Sequence, residues 1–149
     1  SLTLDILGQL KALAVTGYII TECVQDENRD RFRELGASAV IRPVRAYPEL
    51  MVRAMAAPGS EEILENLFSH EGVHPRRYNV AIEASTWSDL AGRFLSHGLG
   101  TPLGFLSHGD KVVTNPRADE AVSGKAVFLM VNHDAIPALS EVEDCVSGS

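Results

Sequence analysis

The stretch Asp26 to Pro43, DENRDRFRELGASAVIRP, constrains this chain more than any other. Asp26 is a good N-cap for a helix, and Gly36 after Leu35 is a good C′ residue. A short β-branched strand over 38–42 follows the glycine. Just before the helix, Tyr18-Ile19-Ile20-Thr21-Glu22-Cys23-Val24 reads as a second strand. Strand, helix and strand in this order form a β-α-β unit, the building block of a parallel sheet. Strands this apolar are expected to be covered on both faces.

The flanking segments extend the pattern. Residues 2–14 read as a helix, with Ile6, Leu7, Leu10, Leu13 and Ala14 at helical spacing and Gly17 beyond its end. Residues 47–57 read as another, with Pro48 in its first turn. Leu50, Met51, Ala54 and Met55 make one apolar face, and Val52 and Ala56 add a second. A helix apolar on more than one side needs more than one cover, and methionines give an adaptable surface. After Pro58-Gly59, Ser60 is placed to cap a helix carrying Ile63, Leu64, Leu67 and Phe68.

The pattern then changes. Residues 69–77, SHEGVHPRR, read as a polar linker, and Tyr78 to Ala84 as a strand. Thr86 caps a helix over 87–97 whose apolar face is Leu90, Phe94 and Leu95, with Trp87 at its start. Short strands are expected over 101–106, 110–114 and 125–131, with Gly-Asp and Gly-Lys as turn signals. Residues 135–149 carry Glu141, Glu143 and Asp144 and read as a frayed acidic tail. The expected fold class is α/β: a partial Rossmann-like parallel sheet (1–46), a helical crossover hairpin and linker (47–76), a small α+β subdomain (77–134) and a flexible tail.

Composition narrows the function. A hydrophobic content of 45% supports an ordinary core, and a formal charge of −7 argues against general nucleic-acid binding. Cys23 and Cys145 lie far apart with no CxxC spacing, and Cys23, in an apolar strand, reads as a free core thiol, which fits a reducing cytosol. No apolar run reaches the ~18–20 residues that span a bilayer. The first fifteen residues lack the basic start and cleavage site of a signal peptide.

Few residues carry chemistry. His70-Glu71-Gly72-Val73-His74 has the HExxH spacing of zinc peptidases, which requires a helix with both histidines on one face. Gly72 inside it and Pro75 after it oppose that helix, and no third ligand lies at a familiar spacing. His97 and His108 both occur as Leu-Ser-His-Gly, an ordinary helix end or turn. No P-loop, GxSxG or GxGxxG is present. Glu22 sits near the carboxyl end of the first strand, where α/β sheets gather ligands, and Asp26 follows in the loop. Both are candidate ligand-binding residues, because a carboxylate in an apolar strand needs a partner or water.

Asp26-Glu27-Asn28-Arg29 followed by Leu35-Gly36-Ala37-Ser38-Ala39-Val40-Ile41-Arg42-Pro43 resembles the later half of the Rossmann-like subdomain of the RCK (or KTN) domain, the regulator of potassium conductance. The helices over 48–68 resemble that family's crossover helices. Trp87-Ser88-Asp89-Leu90, Gly100-Thr101-Pro102-Leu103-Gly104 and Thr114-Asn115-Pro116 resemble its C-terminal ligand-sensing subdomain. The likeness covers residues 1–132. It implies a cytoplasmic, non-enzymatic gating domain of a potassium channel or transport system. The expected partners are a second copy of the chain, in a dimer or larger ring, and a membrane pore. The expected ligand is a divalent cation or an adenine nucleotide bound through the full-length domain. The expected subunit contacts are Leu50, Met51, Met55, Leu64 and Phe68, with Ile6 and Leu10 as a second interface. The family's first strands and glycine loop have no counterpart in these residues, so the expected nucleotide site is at best half present, with the chain a piece of a longer protein or completed by a partner. An HExxH zinc hydrolase and a Rossmann-like enzyme fragment are the alternatives.

Overall fold

A computed structural model describes residues 2–84 and 86–148, apart from the side chains of Asp26, residues 43–47, Glu49 and Leu50. The chain divides into two compact units, Ser1–Glu61 and Glu62–Ser149. The fold is mixed α/β, with a parallel sheet in the first unit and an antiparallel sheet in the second.

In the first unit α1 (Leu2–Ala12) precedes β1 (Ile20–Glu22), a 3-10 turn (Asp26–Asn28), α2 (Arg29–Glu34) and β2 (Ala39–Ile41). β1 and β2 pair in parallel, Ile20 opposite Ala39 and Glu22 opposite Ile41, so the expected β-α-β unit is present. Alternation along β1 sends Ile19, Thr21 and Cys23 inward, where Cys23 joins Leu7, Phe32 and Ala37 in a small core. Lys11 of α1 donates to the Glu34 carbonyl at 2.8 Å and ties the two helices together. Gly36, at φ +99°, ends α2 as expected, a conformation that costs a side-chain-bearing residue more than glycine. Three expectations change. The chain enters α2 through a 3-10 turn that starts at Asp26, so the residue preceding Arg29 is Asn28, and its side chain makes no capping bond. The sheet is covered on one face within this unit: Tyr18, Ile20, Val24 and Ile41 are all more than half exposed. α3 (Pro43–Ala56) starts four residues earlier than 47, because Pro43 supplies a favourable first-turn φ; Pro48 then lies inside the helix.

The second unit begins within α4 (Ser60–Phe68). Ser60 is the first helical residue, and its buried hydroxyl has no hydrogen-bond partner, so it is not the cap the sequence suggested. β3 (His74–Tyr78), β4 (Ile82–Ala84), α5 (Trp87–Ser96), β5 (Thr101–Ser107), β6 (Val112–Thr114), β7 (Val122–Val131) and α6 (Leu139–Ser147) follow. The sheet order is β3-β7-β5-β6, with β4 also pairing to β7. Every pairing is antiparallel. Thr86 caps α5 as expected, its Oγ accepting from the Asp89 amide at 3.2 Å. Two further amides of the first turn, Trp87 and Ser88, donate to the carbonyls of Glu120 and Ala118. The face so fixed buries Trp87, Leu90 and Phe94 against Phe105, Val127 and Leu129 of the sheet.

Here too the sequence misled in places. The polar stretch 69–77 is a linker only to residue 73; from His74 it is β3, paired along its length with β7. Tyr78 to Ala84 is two strands, interrupted at 79–81. Gly124-Lys125 is not a turn but lies within β7, where a side chain at 124 would strike the Leu106 carbonyl. The acidic tail is α6, because Val142, Cys145 and Val146 fall at helical spacing and enter the core. Arg93 of α5 donates to the Cys145 and Val146 carbonyls at 3.1 and 2.8 Å, satisfying groups that a helix C-terminus leaves open. The Tyr78 hydroxyl donates to the Pro137 carbonyl at 3.0 Å just before α6.

Two outcomes follow from this seam. Val142→Asp places an unpaired charge where the side chain is fully buried, and should lower stability by about 3 kcal/mol or more, whereas Glu143→Lys on the exposed side should change it little; urea unfolding distinguishes a docked helix from a frayed end. Burial raises the Tyr78 hydroxyl above the usual phenol pKa. The unfolded chain therefore loses this proton first as pH rises, and stability falls above about pH 10. Tyr78→Phe should lose stability at pH 8 but show a shallower decline between pH 9 and 11 in urea midpoints.

Candidate functional site

The carboxyl end of the parallel pair is where the sequence placed a ligand. Backbone pairing continues past β1 through the Cys23 amide, which donates to the Ile41 carbonyl at 2.8 Å. Alternation therefore keeps the Cys23 thiol inside, donating to the Gln25 carbonyl at 2.9 Å, and turns Glu22 out. Gln25 accepts from the Asn28 amide group at 3.1 Å, which shapes the turn leading into α2. Arg29, at the start of α2, keeps its Nε buried without a hydrogen-bond partner. Glu22 is exposed at the last position of β1, and Asp26 opens the 3-10 turn four residues on. The Asp26 side chain lies outside the described residues. The two thus share one end of the sheet, as expected from sequence. An ionised carboxylate offers acceptors only, suited to a cation or to a sugar hydroxyl.

The expected contact residues divide by exposure. On α3, Met51 and Met55 are exposed, Met55 at 83%, together with Val52; Leu50 lies among the side chains outside the description. On α4, Phe68 and Ile63 are exposed and Leu64 is half-buried. On α1, Ile6 is exposed on one side and Leu10 is half-buried, while Leu7 fills the core.

The zinc-peptidase geometry is absent. Residues 69–72 bend, and His74 is the first residue of β3, so no helix presents both histidines of the HExxH on one face. Among the described residues, no group of three or more His, Cys, Asp and Glu is arranged to hold a metal ion. His97 accounts for itself as the C-cap of α5, its ring Nδ1 2.8 Å from the Arg93 carbonyl. His108 lies 3.5 Å from Glu83 on the exposed surface, and Glu83 also accepts from Ser123 at 3.0 Å. Nearby, a hydrogen bond from Lys125 holds the Asp110 carboxyl below its usual pKa. A ring contact that the sequence did not reveal joins His74 to His133, with ring centres 6.2 Å apart. Only the β3–β7 register brings them together, and no local pattern signals it. No described helix is long and apolar enough to cross a membrane.

No protein-family model matches the chain, and no curated protein matches it. Among solved structures it is similar to the GsuK channel bound to NAD, at 11% identity and a TM-score of 0.44. It is similar also to the GsuK channel, at 12% and 0.41, and to the GsuK RCK domain, at 13% and 0.39. Each similarity covers 99% of this chain but 25%, 26% and 31% of the other, so the chain spans a quarter to a third of those proteins.

Because Glu22 is exposed and outside the core, Glu22→Gln should leave thermal stability within about 0.5 kcal/mol of the parent. A clear drop in melting temperature would make the carboxylate a structural group instead of a surface free for ligand.

Proposed function

We propose that the chain is the regulatory domain of a potassium channel or transport system, coupling the binding of a small ligand or cation to a rearrangement of subunits. The observation that carries this reading is the exposed apolar face of α3. Met51, Val52 and Met55 stay open to solvent on a helix that directly follows the parallel pair. An apolar helix face left in water is a contact surface, and its place in the chain is that of the crossover helices in the family the sequence resembles. Phe68 and Ile63 on α4 add apolar surface, and Ile6 with Leu10 on α1 provide the second contact. The partner is a second copy, and the assembly acts at the inner face of the membrane on a linked pore.

Glu22 and Asp26 supply the ligand end of this device. A carboxylate at the carboxyl end of a strand that follows a helix is where doubly wound sheets bind a ribose hydroxyl. The same two groups suit a divalent cation. The ligand is then an adenine nucleotide or a cation, held in the full-length domain. For gating, the ligand must favour one subunit arrangement over another by about 1–3 kcal/mol. The function is regulatory and not catalytic.

Light scattering tests the assembly. The chain should run as a dimer or larger ring, and Met55→Asp should shift it to monomer without loss of helicity, since Met55 makes no part of the core. Calcium or an adenine nucleotide should alter the parent's mass distribution, and Glu22→Gln should blunt that response. A monomer indifferent to both ligands would overturn the reading.

A further inference from the structure

The HExxH residues form no helix, yet the strand that replaces it gives one of those histidines a different neighbour. His74 lies opposite Val131 in the β3–β7 ladder. β7 then runs out into a tight turn closed by the Ala135 amide, which donates to the Asn132 carbonyl at 3.2 Å. His133 sits in that turn. The two imidazoles meet edge to face, with centres 6.2 Å apart and planes at 61°. His74 is half-buried and His133 exposed.

His74 Nδ1 lies 3.4 Å from the Gly72 carbonyl, a long hydrogen-bond contact. A proton on Nδ1 pointing to that oxygen leaves the Nε2 lone pair available, the arrangement that orients histidines bound to metals. Two imidazoles on one tetrahedral ion, each at about 2.0–2.1 Å, place their ring centres roughly 5 Å apart. The observed separation of 6.2 Å is longer than this, and His133, exposed on its turn, is free to rotate its side chain toward His74 to close the gap.

We propose that His74 and His133 together hold one divalent transition-metal ion of the zinc or nickel kind, with water completing its coordination. Imidazole nitrogen is a borderline ligand that suits these ions, whereas calcium and magnesium take oxygen. Such an ion would clamp the start of β3 to the turn after β7, at one end of that antiparallel pair. The site lies within the second unit and is independent of the regulatory reading, since it involves neither Glu22 nor α3.

The test is titration of the intact chain with zinc chloride, followed by calorimetry and by the histidine ring resonances. Saturable binding is expected, with the His74 and His133 rings shifting and those of His70, His97 and His108 unmoved. His74→Gln and His133→Gln should each weaken binding at least tenfold, and His70→Gln should leave it unchanged. Absence of saturable binding, shifts centred on other histidines, or loss of binding in His70→Gln would overturn the proposal. The ring resonances of the parent give the answer even if a variant misfolds.

Discussion

The second unit depends on one strand. β7 is ten residues long and pairs with β3, β4 and β5, so three of the other four strands are held by its backbone. Its alternate side chains, Val127, Leu129 and Val131, line the core that α5 and α6 close. Where β7 carries Gly124, the backbone of β5 approaches too closely for any side chain, and the register shifts between Leu106 and Ser107. The outer edges are protected in a different way. β3 presents Pro75, Arg76 and Arg77, and β6 is only three residues long. Proline, charge and shortness are the usual defences of an exposed sheet edge.

The first unit lacks such a centre. Its sheet has two strands, and a two-stranded sheet is marginal without cover. α1 and α2 cover one face; Tyr18, Ile20, Val24 and Ile41 leave the other open. Exposed apolar side chains recur on α3. The two units thus differ in their sheets: the second has a core closed by two helices, whereas the first leaves one sheet face open.

Features fixed by neighbours in sequence were legible. Thr86 and Asp89 specify a helix start within four residues, and Gly36 a helix end, whatever surrounds them. The parallel pair was legible because β-branched runs flank a short helix that ends at Gly36, although Asn28, and not the Asp26 read from sequence as its cap, directly precedes that helix. The carboxyl-end location of Glu22 followed from strand direction alone. What escaped was set by distant partners. His74-Pro75-Arg76-Arg77 has a linker's composition and becomes a strand because β7, over fifty residues later, pairs with it. Gly124-Lys125 has a turn's composition, yet the glycine answers a close approach by β5. In α6 the signal was present: Val142, Cys145 and Val146 have helical spacing. Glu141, Glu143 and Asp144 between them disguised it, since the polar face of an amphipathic helix and a solvated tail share a composition. The His74–His133 contact had no sequence signal, because strand register alone creates it.

The place of α6 also sets an order of events during synthesis. Val142, Cys145 and Val146 are core residues of the second unit, packed with residues as early as Tyr78. That core cannot be completed until the ribosome has released the chain beyond residue 146. β3 likewise waits, edge unpaired, while the residues up to β7 are made. The first unit, whose core is finished by Val40, is free to form well before. The residues of the first core are thus all synthesised before those that complete the second, and the interval between them is the time in which the strand edges of the second unit lack their partner β7.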